Sequence, residues 1–191
     1  MSENYTCCFI GHRKTEETEN LKLQLKAVIK NLITAKNVDT FLFGSKSQFN
    51  SICYELVTEI KEKFPHIKRV YVRAEYPYID NYYTEYLLEK YEYTYYPERA
   101  LNSGKAVYIE RNCEMIDKSK FCVIYFDKRI SPKTCKSGTE IAYNYAVKRK
   151  KVIIRLPFGN NCPELRKAPP PLSHRITAVV QFFIIRNCTY K

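Results

Sequence analysis

Short runs of apolar residues alternate with longer amphipathic segments along the first 156 residues of the chain. The apolar runs are rich in Cys, Phe, Val, Ile and Tyr and hold few polar residues, which is typical of strands buried on both faces of a parallel sheet. We predict a strand from each of these runs. The predicted strands lie at residues 5–10, 38–43, 67–74, 92–96, 121–126 and 152–154.

The segments between these runs have the spacing of helices. Apolar residues recur there at steps of three and four, as in Leu21, Leu25 and Val28, so each segment presents one apolar face. Further helices are predicted at residues 48–63, 82–91 and 105–116, and after Gly138. Strands that alternate with helices indicate β-α-β crossovers. We therefore predict an α/β fold, a three-layer sandwich with a mostly parallel central sheet.

The character of the chain changes after residue 156. Pro157, Pro163 and the run Pro169 to Pro171 oppose a regular helix. The apolar run at residues 176–185 is too short to cross a bilayer and fits either an added edge strand or a packing strip. We therefore predict two parts, an α/β domain of residues 1–156 and a basic, Pro-containing tail of residues 157–191.

The positive charge of the chain is concentrated near its end. Residues 148–191 hold ten Lys or Arg and one acid, Glu164, so they carry +9 of the formal net charge of +12. A nearly neutral body with a basic end is unlike a dedicated nucleic-acid domain, so nucleic acid is not the partner we expect. Two explanations stay open for the basic end, a solvated segment and a loose contact with RNA or DNA phosphates.

Cysteine use and hydropathy narrow the class of protein further. Eight Cys are present, but Cys7, Cys8, Cys53 and Cys122 lie in apolar segments and no CxxC pair occurs, which argues against a metal site. We expect a reduced, cytoplasmic protein. No apolar run reaches the about 20 residues that a bilayer requires, so we expect no membrane partner. No GxGxxG motif occurs, so we expect no cofactor of the ordinary NAD type.

Four turns with ligand-binding chemistry follow predicted strands. Ligands of open parallel sheets bind outside the carboxyl ends of the strands, so these turns would share one edge. An Arg there can pair with a phosphate, a Glu can accept hydrogen bonds from a ribose, and a Tyr can stack on a base. A structural turn at His12 and an exposed tyrosine surface at Tyr76 are the simpler alternatives. The four turns are Gly11-His12-Arg13, Gly44-Ser45, Glu75-Tyr76 and Ser137-Gly138-Thr139.

The last of these turns has the geometry that binds phosphate, because Ser137, Gly138 and Thr139 stand between a buried strand and a helix. Free backbone N–H groups and the helix dipole attract an anion there, although an ordinary N-cap explains the same residues. On the preceding helix, Arg111 and Asn112 offer a planar cation and an amide to a ligand. A surface salt bridge from Arg111 to a nearby Glu is the alternative.

Several of these residues occur in the order and at the spacing of a known family. The matching segments are Cys8-Phe9-Ile10-Gly11-His12-Arg13, Phe43-Gly44 with Phe49, Arg111-Asn112 with Met115, and Ser137-Gly138-Thr139. With these residues the chain resembles the SLOG superfamily, in its YpsA-like branch, over roughly residues 5–155. The resemblance implies a Rossmann-like domain that binds nucleotides or nucleotide-derived molecules such as ADP-ribose-like ligands. It also implies a relation to LOG-type phosphoribohydrolases, which release a base from a nucleoside monophosphate.

The chain departs from the family pattern at two loops and at one catalytic position. Ser137 stands where the family commonly has the first Gly of a Gly-Gly-Thr loop. Residues 44–50 read Gly-Ser-Lys-Ser-Gln-Phe-Asn, where the family loop often reads Gly-Gly-x-x-Gly-Phe-Asp, so they keep the first Gly and the Phe but not the other two Gly residues or the Asp. In LOG-type enzymes, an Arg on the preceding helix and a Glu two residues after the loop Thr perform the cleavage. Arg111 matches that Arg, whereas Glu140 lies one residue before the expected position, which is Ile141.

The turns and the resemblance together predict a protein that binds or senses a nucleotide-like small molecule. The alternative is a nucleoside monophosphate phosphoribohydrolase in which Arg111 and Glu140 are catalytic. The sequence leaves a homo-oligomer open.

Overall fold

Each pair of consecutive strands is joined by a segment that contains an α-helix. The structure, a computed structural model, describes residues 5–44, 46–127 and 136–156. Ser45 and the predicted tail of residues 157–191 lie outside the described residues. The strands are β1 (Thr6–Gly11), β2 (Thr40–Phe43), β3 (Lys68–Val72), β4 (Tyr93–Tyr95), β5 (Phe121–Tyr125) and β6 (Val152–Leu156). The helices are α1 (Glu19–Lys36), α2 (Gln48–Lys61), α3 (Asn81–Leu88), α4 (Val107–Asp117) and α5 (Gly138–Lys148).

The strands of the described residues form one open, all-parallel sheet in the order β4-β3-β2-β1-β5-β6. In β1, Cys8 lies opposite Leu42 of β2 on one side and opposite Cys122 of β5 on the other. The strand order reverses between β1 and β5, and such a reversal opens a crevice at the carboxyl ends of the strands. The predicted Rossmann-like α/β sandwich with a mostly parallel sheet is therefore confirmed.

Alternate residues of the central strands point to opposite faces of the sheet. Phe9, Phe41 and Phe43 pack with the buried stripes of α1 and α2 on one face. Ile10 and Leu42 pack with residues of α4 and α5 on the other face. Helices on both faces complete the three layers. Helix α3 lies beside the edge strand β4 and differs from the others, because its buried residue is Leu87 alone.

Four helices start at a polar residue that caps the free N–H groups of the first turn. Each capping side chain accepts a hydrogen bond from the N–H group three residues further along. The caps are Thr18, Ser47, Asp80 and Ser137. Helix α4 has no such side-chain cap and follows a 3-10 turn at Gly104–Ala106. The predicted helix at residues 105–116 therefore begins as a tighter turn, and its α-helical part starts at Val107.

The strand β6 continues past the predicted residues 152–154 to Leu156. A charged residue, Arg155, lies in this extension. Its guanidinium donates hydrogen bonds to the main-chain oxygen of Phe126 at 3.2 and 3.1 Å. The strand tolerates the charge because these bonds hold the side chain over the end of β5.

The described helices are amphipathic or largely polar on their outer faces. None of those in the described ranges has both the length and the apolar character that a membrane crossing needs.

Candidate functional site

A cavity of about 380 Å³ opens at the carboxyl ends of β1, β2 and β3. Four separate parts of the chain reach it after or within the strands, and α4 closes one side. The lining residues are Gly11, Arg13, Gly44, Lys46, Ser47, Tyr71, Ala74, Glu75, Tyr108, Arg111, Asn112 and Thr139. This volume lies in the range of small-molecule sites. Three cationic side chains and one carboxylate line the cavity, so the lining is positive.

Two glycines allow helices to pack close to the strand ends. A Cβ atom at Gly11 would lie 2.4 Å from Cδ1 of Phe49, which belongs to α2. A Cβ atom at Gly44 would lie 2.7 Å from Nη1 of Arg111 and 2.5 Å from Sδ of Met115 on α4. Glycine at position 44 therefore makes room for the guanidinium of Arg111 at the base of the cavity.

Arg111 is a buried cation with no carboxylate partner among the described residues. Its side chain is 2% exposed, Nη1 donates to the main-chain oxygen of Val72 at 3.3 Å, and Nε donates to Oδ1 of Asn112 at 3.0 Å. Burial lowers the pKa of Arg111 to about 10, so the guanidinium is still charged at neutral pH. The salt bridge to a nearby Glu, which the sequence left open, is not formed within the described ranges. An anion in the cavity would compensate this charge.

Glu75 places the carboxylate of the cavity at its outer side. Tyr108 Oη donates to Oε1 of Glu75 at 2.8 Å, and Nζ of Lys46 lies 3.6 Å from Oε2. The hydrogen bond from Tyr108 and the charge of Lys46 lower the pKa of Glu75, so it is ionised at neutral pH. Its remaining lone pairs can accept hydrogen bonds from hydroxyl groups.

The other two cations of the lining, Arg13 and Lys46, are exposed to solvent. Arg13 follows β1, and its main-chain oxygen accepts a hydrogen bond from the N–H of Gln48 at 3.1 Å, which fixes the turn against α2. Its side chain has no ion pair with any described residue. The guanidinium of Arg13 is therefore available to a ligand at the mouth of the cavity.

The start of α5 reaches the cavity through Thr139, which is buried. Ser137 caps the helix by accepting the N–H of Glu140 at 3.1 Å, and Gly138 is exposed with open space at its Cβ position. No described residue accepts the N–H groups of Gly138 or Thr139. The N-cap and the free N–H groups expected from the sequence thus occur together at this helix start.

Several predicted site residues lie elsewhere. His12 is buried outside the lining of the cavity, and burial lowers the pKa of its ring, so the ring is neutral. Its Nε2 accepts a hydrogen bond from the N–H of Asp127 at 3.1 Å, which joins the turn after β1 to the end of β5. Tyr76 is 65% exposed and packs edge-on to Tyr83 at 6.5 Å. Ser137, Gly138 and Glu140 do not line the cavity, and Ser45 is outside the described residues.

The sequence analysis missed five side chains of the lining: Lys46, Ser47, Tyr71, Ala74 and Tyr108. Tyr108 precedes Arg111 by three residues, so the helical spacing alone places the two on one face of α4. Its ring lies 5.9 Å from the guanidinium carbon of Arg111. Tyr71 had no such signal, because β3 shows no clean alternation of polar and apolar residues.

No family model matches the chain, and no curated protein matches it. Within the described ranges, no group of three or more His, Cys, Asp and Glu residues is placed to hold a metal ion. The class of protein therefore rests on its fold and site, an open parallel α/β sheet with a basic cavity at its carboxyl edge.

Proposed function

We propose that this protein binds or senses a nucleotide or a nucleotide-derived, ADP-ribose-like ligand in the cavity. The observation that carries the proposal is Arg111, a buried and charged guanidinium that lines the cavity and has no carboxylate partner among the described residues. The position of the cavity at the carboxyl ends of a parallel sheet supports it, since ligands of such sheets bind there. The resemblance to the SLOG superfamily points to the same class of ligand.

The phosphate of the ligand pairs with Arg111 in this proposal. Asn112 holds the guanidinium through Nε, which leaves Nη2 and the free edge of the fork for phosphate oxygens. Arg13 and Lys46 add positive charge at the mouth, and the N–H groups at the start of α5 add donors near Thr139.

The ribose of the ligand binds at Glu75. Its carboxylate is held by Tyr108 and is ionised at neutral pH, so it accepts hydrogen bonds from the two ribose hydroxyls. A ligand that carries both a phosphate and hydroxyl groups contacts the cations and the carboxylate of the lining, whereas an inorganic anion contacts only the cations.

Binding is favoured over cleavage of an N-glycosidic bond. A phosphoribohydrolase of LOG type would need the carboxylate of Glu140 beside the sugar, and of the described residues it is Glu75, not Glu140, that lines the cavity. An assay for free base from nucleoside monophosphates checks this point, with Glu140→Gln as the control. Release of base that Glu140→Gln abolishes would establish the hydrolase instead.

Titration calorimetry with AMP, ADP-ribose and NAD tests the proposed binding. We expect heat of binding from at least one of the three, and weaker binding by Arg13→Gln of about 10-fold, because one charge-assisted hydrogen bond is lost. Lys14→Gln is the matched control, since Lys14 is the exposed neighbour of Arg13 and does not line the cavity. Absence of heat with all three ligands at millimolar concentration would overturn the proposal.

A further inference from the structure

A second depression of about 560 Å³ lies beside the cavity, between α2 and α3. Lys46 and Tyr71 line both, so the two share a rim. We call this depression the tyrosine groove. It is lined by the aromatic rings of Tyr54, Tyr71, Tyr83, Tyr86 and Tyr91.

The inner wall of the tyrosine groove is fixed to the core. The ring of Tyr91 lies 5.1 Å from the rings of both Tyr54 and Tyr71. Tyr54 packs edge-on to the buried Phe43 at 5.8 Å, and its hydroxyl donates to the main-chain oxygen of Lys90 at 3.0 Å. These contacts hold the three rings in place without a ligand, so the wall is preformed.

The outer wall of the tyrosine groove is formed by α3. The rings of Tyr83 and Tyr86 lie 6.0 Å apart and are nearly parallel, at 16°. Nζ of Lys90 bonds the hydroxyl of Tyr86 at 2.9 Å and covers one face of its ring. Tyr86 is still 44% exposed, and Leu87 is the one residue of α3 that is buried in the core. The helix therefore presents aromatic surface to the groove that the packing of the fold does not consume.

The charges of the tyrosine groove indicate what kind of group it takes. Lys46 and Lys90 are its cations and Glu55 is its carboxylate, so the charges nearly balance. The cavity, by contrast, has three cations and one carboxylate. A flat, uncharged ring with polar edges fits the groove better than a second phosphate, because tyrosine faces stack on it and tyrosine hydroxyls bond its edges.

We propose that the tyrosine groove is the base subsite, in which the aromatic base of a nucleotide stacks while its phosphate lies at Arg111. This inference rests on the proposed function and adds to it the direction in which the ligand extends, from α4 past Lys46 and Tyr71 towards α3. It makes the site selective for sugar phosphates that carry a planar heterocycle over those that carry none.

Calorimetry with AMP and ribose 5-phosphate tests the base subsite, because ribose 5-phosphate carries a hydroxyl group at C1 where AMP carries the base. We expect the intact chain to bind AMP at least about 10-fold more tightly than ribose 5-phosphate, as stacking on aromatic side chains provides. Tyr83→Leu removes a ring of the outer wall and is expected to bring this ratio close to one, with the affinity for ribose 5-phosphate unchanged. Tyr83→Phe keeps the ring and is expected to keep the ratio.

Tyr82→Leu is the matched control, since Tyr82 is the neighbouring residue on α3, is 80% exposed and does not line the groove. Equal binding of the two probes by the intact chain, or an unchanged ratio in Tyr83→Leu, would overturn the base subsite and leave the proposed function standing. An equal loss of both probes in Tyr83→Leu would also overturn it, because the effect would then lie in the cavity. Failure of both probes to bind the intact chain would overturn the base subsite, and the proposed function would fall with it only if ADP-ribose and NAD also gave no heat.

Discussion

Replacing Arg111 by Met separates the effect of the buried cation on folding stability from its role in binding a phosphate. Met matches the Arg side chain from Cβ to the position of Nε, has no charge, and would lie against Met115 at the base of the cavity. We expect Arg111→Met to be more stable than the natural chain in the absence of ligand, and to have lost the binding of AMP. A residue that only holds the fold together would behave in the opposite way.

The magnitude follows from the burial of the guanidinium. Burial lowers the pKa of Arg111 to about 10, and each pKa step of one corresponds to about 1.4 kcal/mol, so its charged form is disfavoured by roughly 3 kcal/mol. Because the pKa is lowered but stays far above 7, both the folded and the unfolded chain carry the proton at neutral pH, and this cost does not vary there. Loss of the two hydrogen bonds to Val72 and Asn112, at about 1 kcal/mol each, removes about 2 kcal/mol of the gain. A net stabilisation of about 1 kcal/mol remains.

Thermal unfolding with and without AMP measures both effects. A gain of about 1 kcal/mol raises Tm by roughly 2 to 4 °C in a domain of this size. A ligand at 100 times its Kd stabilises the natural chain by about 2.7 kcal/mol and should leave Arg111→Met unchanged. Arg99→Met is the matched control: Arg99 is paired with Glu110 and Asp117 at 2.9 and 2.7 Å, so this variant should be less stable and keep its response to AMP. If Arg111→Met melts at a lower temperature than the natural chain and is still stabilised by AMP, Arg111 holds the fold together and does not bind the phosphate.

Four further substitutions test the turns and the network around the site. The Cβ position of Gly138 faces open space, so Gly138→Ala should leave stability unchanged or raise it by up to about 1 kcal/mol in denaturant unfolding, and it should weaken AMP binding. Gly44→Ala should cost about 1 to 3 kcal/mol of stability, because its Cβ atom would clash with Arg111. Asp117→Asn weakens two ion pairs and a hydrogen bond from Tyr145 and should cost about 1 kcal/mol, less at high salt; no change on urea unfolding would contradict this. Because burial lowers the pKa of His12, the unfolded chain binds more protons below its ordinary pKa, so unfolding free energy should fall as the pH drops from 7.5 to 5.5, and fall less in His12→Gln; an identical pH dependence would contradict this.

The fold was predictable because its central strands, β1, β2 and β5, are buried on both faces. Segments such as residues 121–126 are nearly all apolar, and each is followed by a segment of helical spacing, so the alternation alone defines a parallel sheet with helices on both sides. The strand ends were less predictable. Arg155 would have ended β6 on hydropathy, but the strand continues because its main chain pairs with β5 as far as Leu156 and the Arg155 side chain bonds the main-chain oxygen of Phe126, 29 residues away.

The convergence of the turns was predictable from one rule, that carboxyl ends of parallel strands share an edge. Gly11, Gly44, Glu75 and Thr139 meet around one cavity because the strands that carry them are parallel. The role of His12 was not accessible in this way. Its partner is the main chain of Asp127, 115 residues away, and no local pattern announces a hydrogen bond to a backbone group.

The cation Arg111 and the carboxylate of Glu75 both line the cavity but do not form an ion pair with each other. Arg111 is held by the oxygens of Val72 and Asn112, and Glu75 is held by Tyr108 and Lys46, so neither consumes the other. Tyr108 stands between them, with its ring near the guanidinium and its hydroxyl on the carboxylate. Direct pairing would have left neither group for a ligand. Because the two groups are held by different partners, the cation remains available to a phosphate and the carboxylate to hydroxyl groups. We therefore expect ribose 5-phosphate to bind more tightly than inorganic phosphate, and we expect this difference in affinity to vanish in Glu75→Gln.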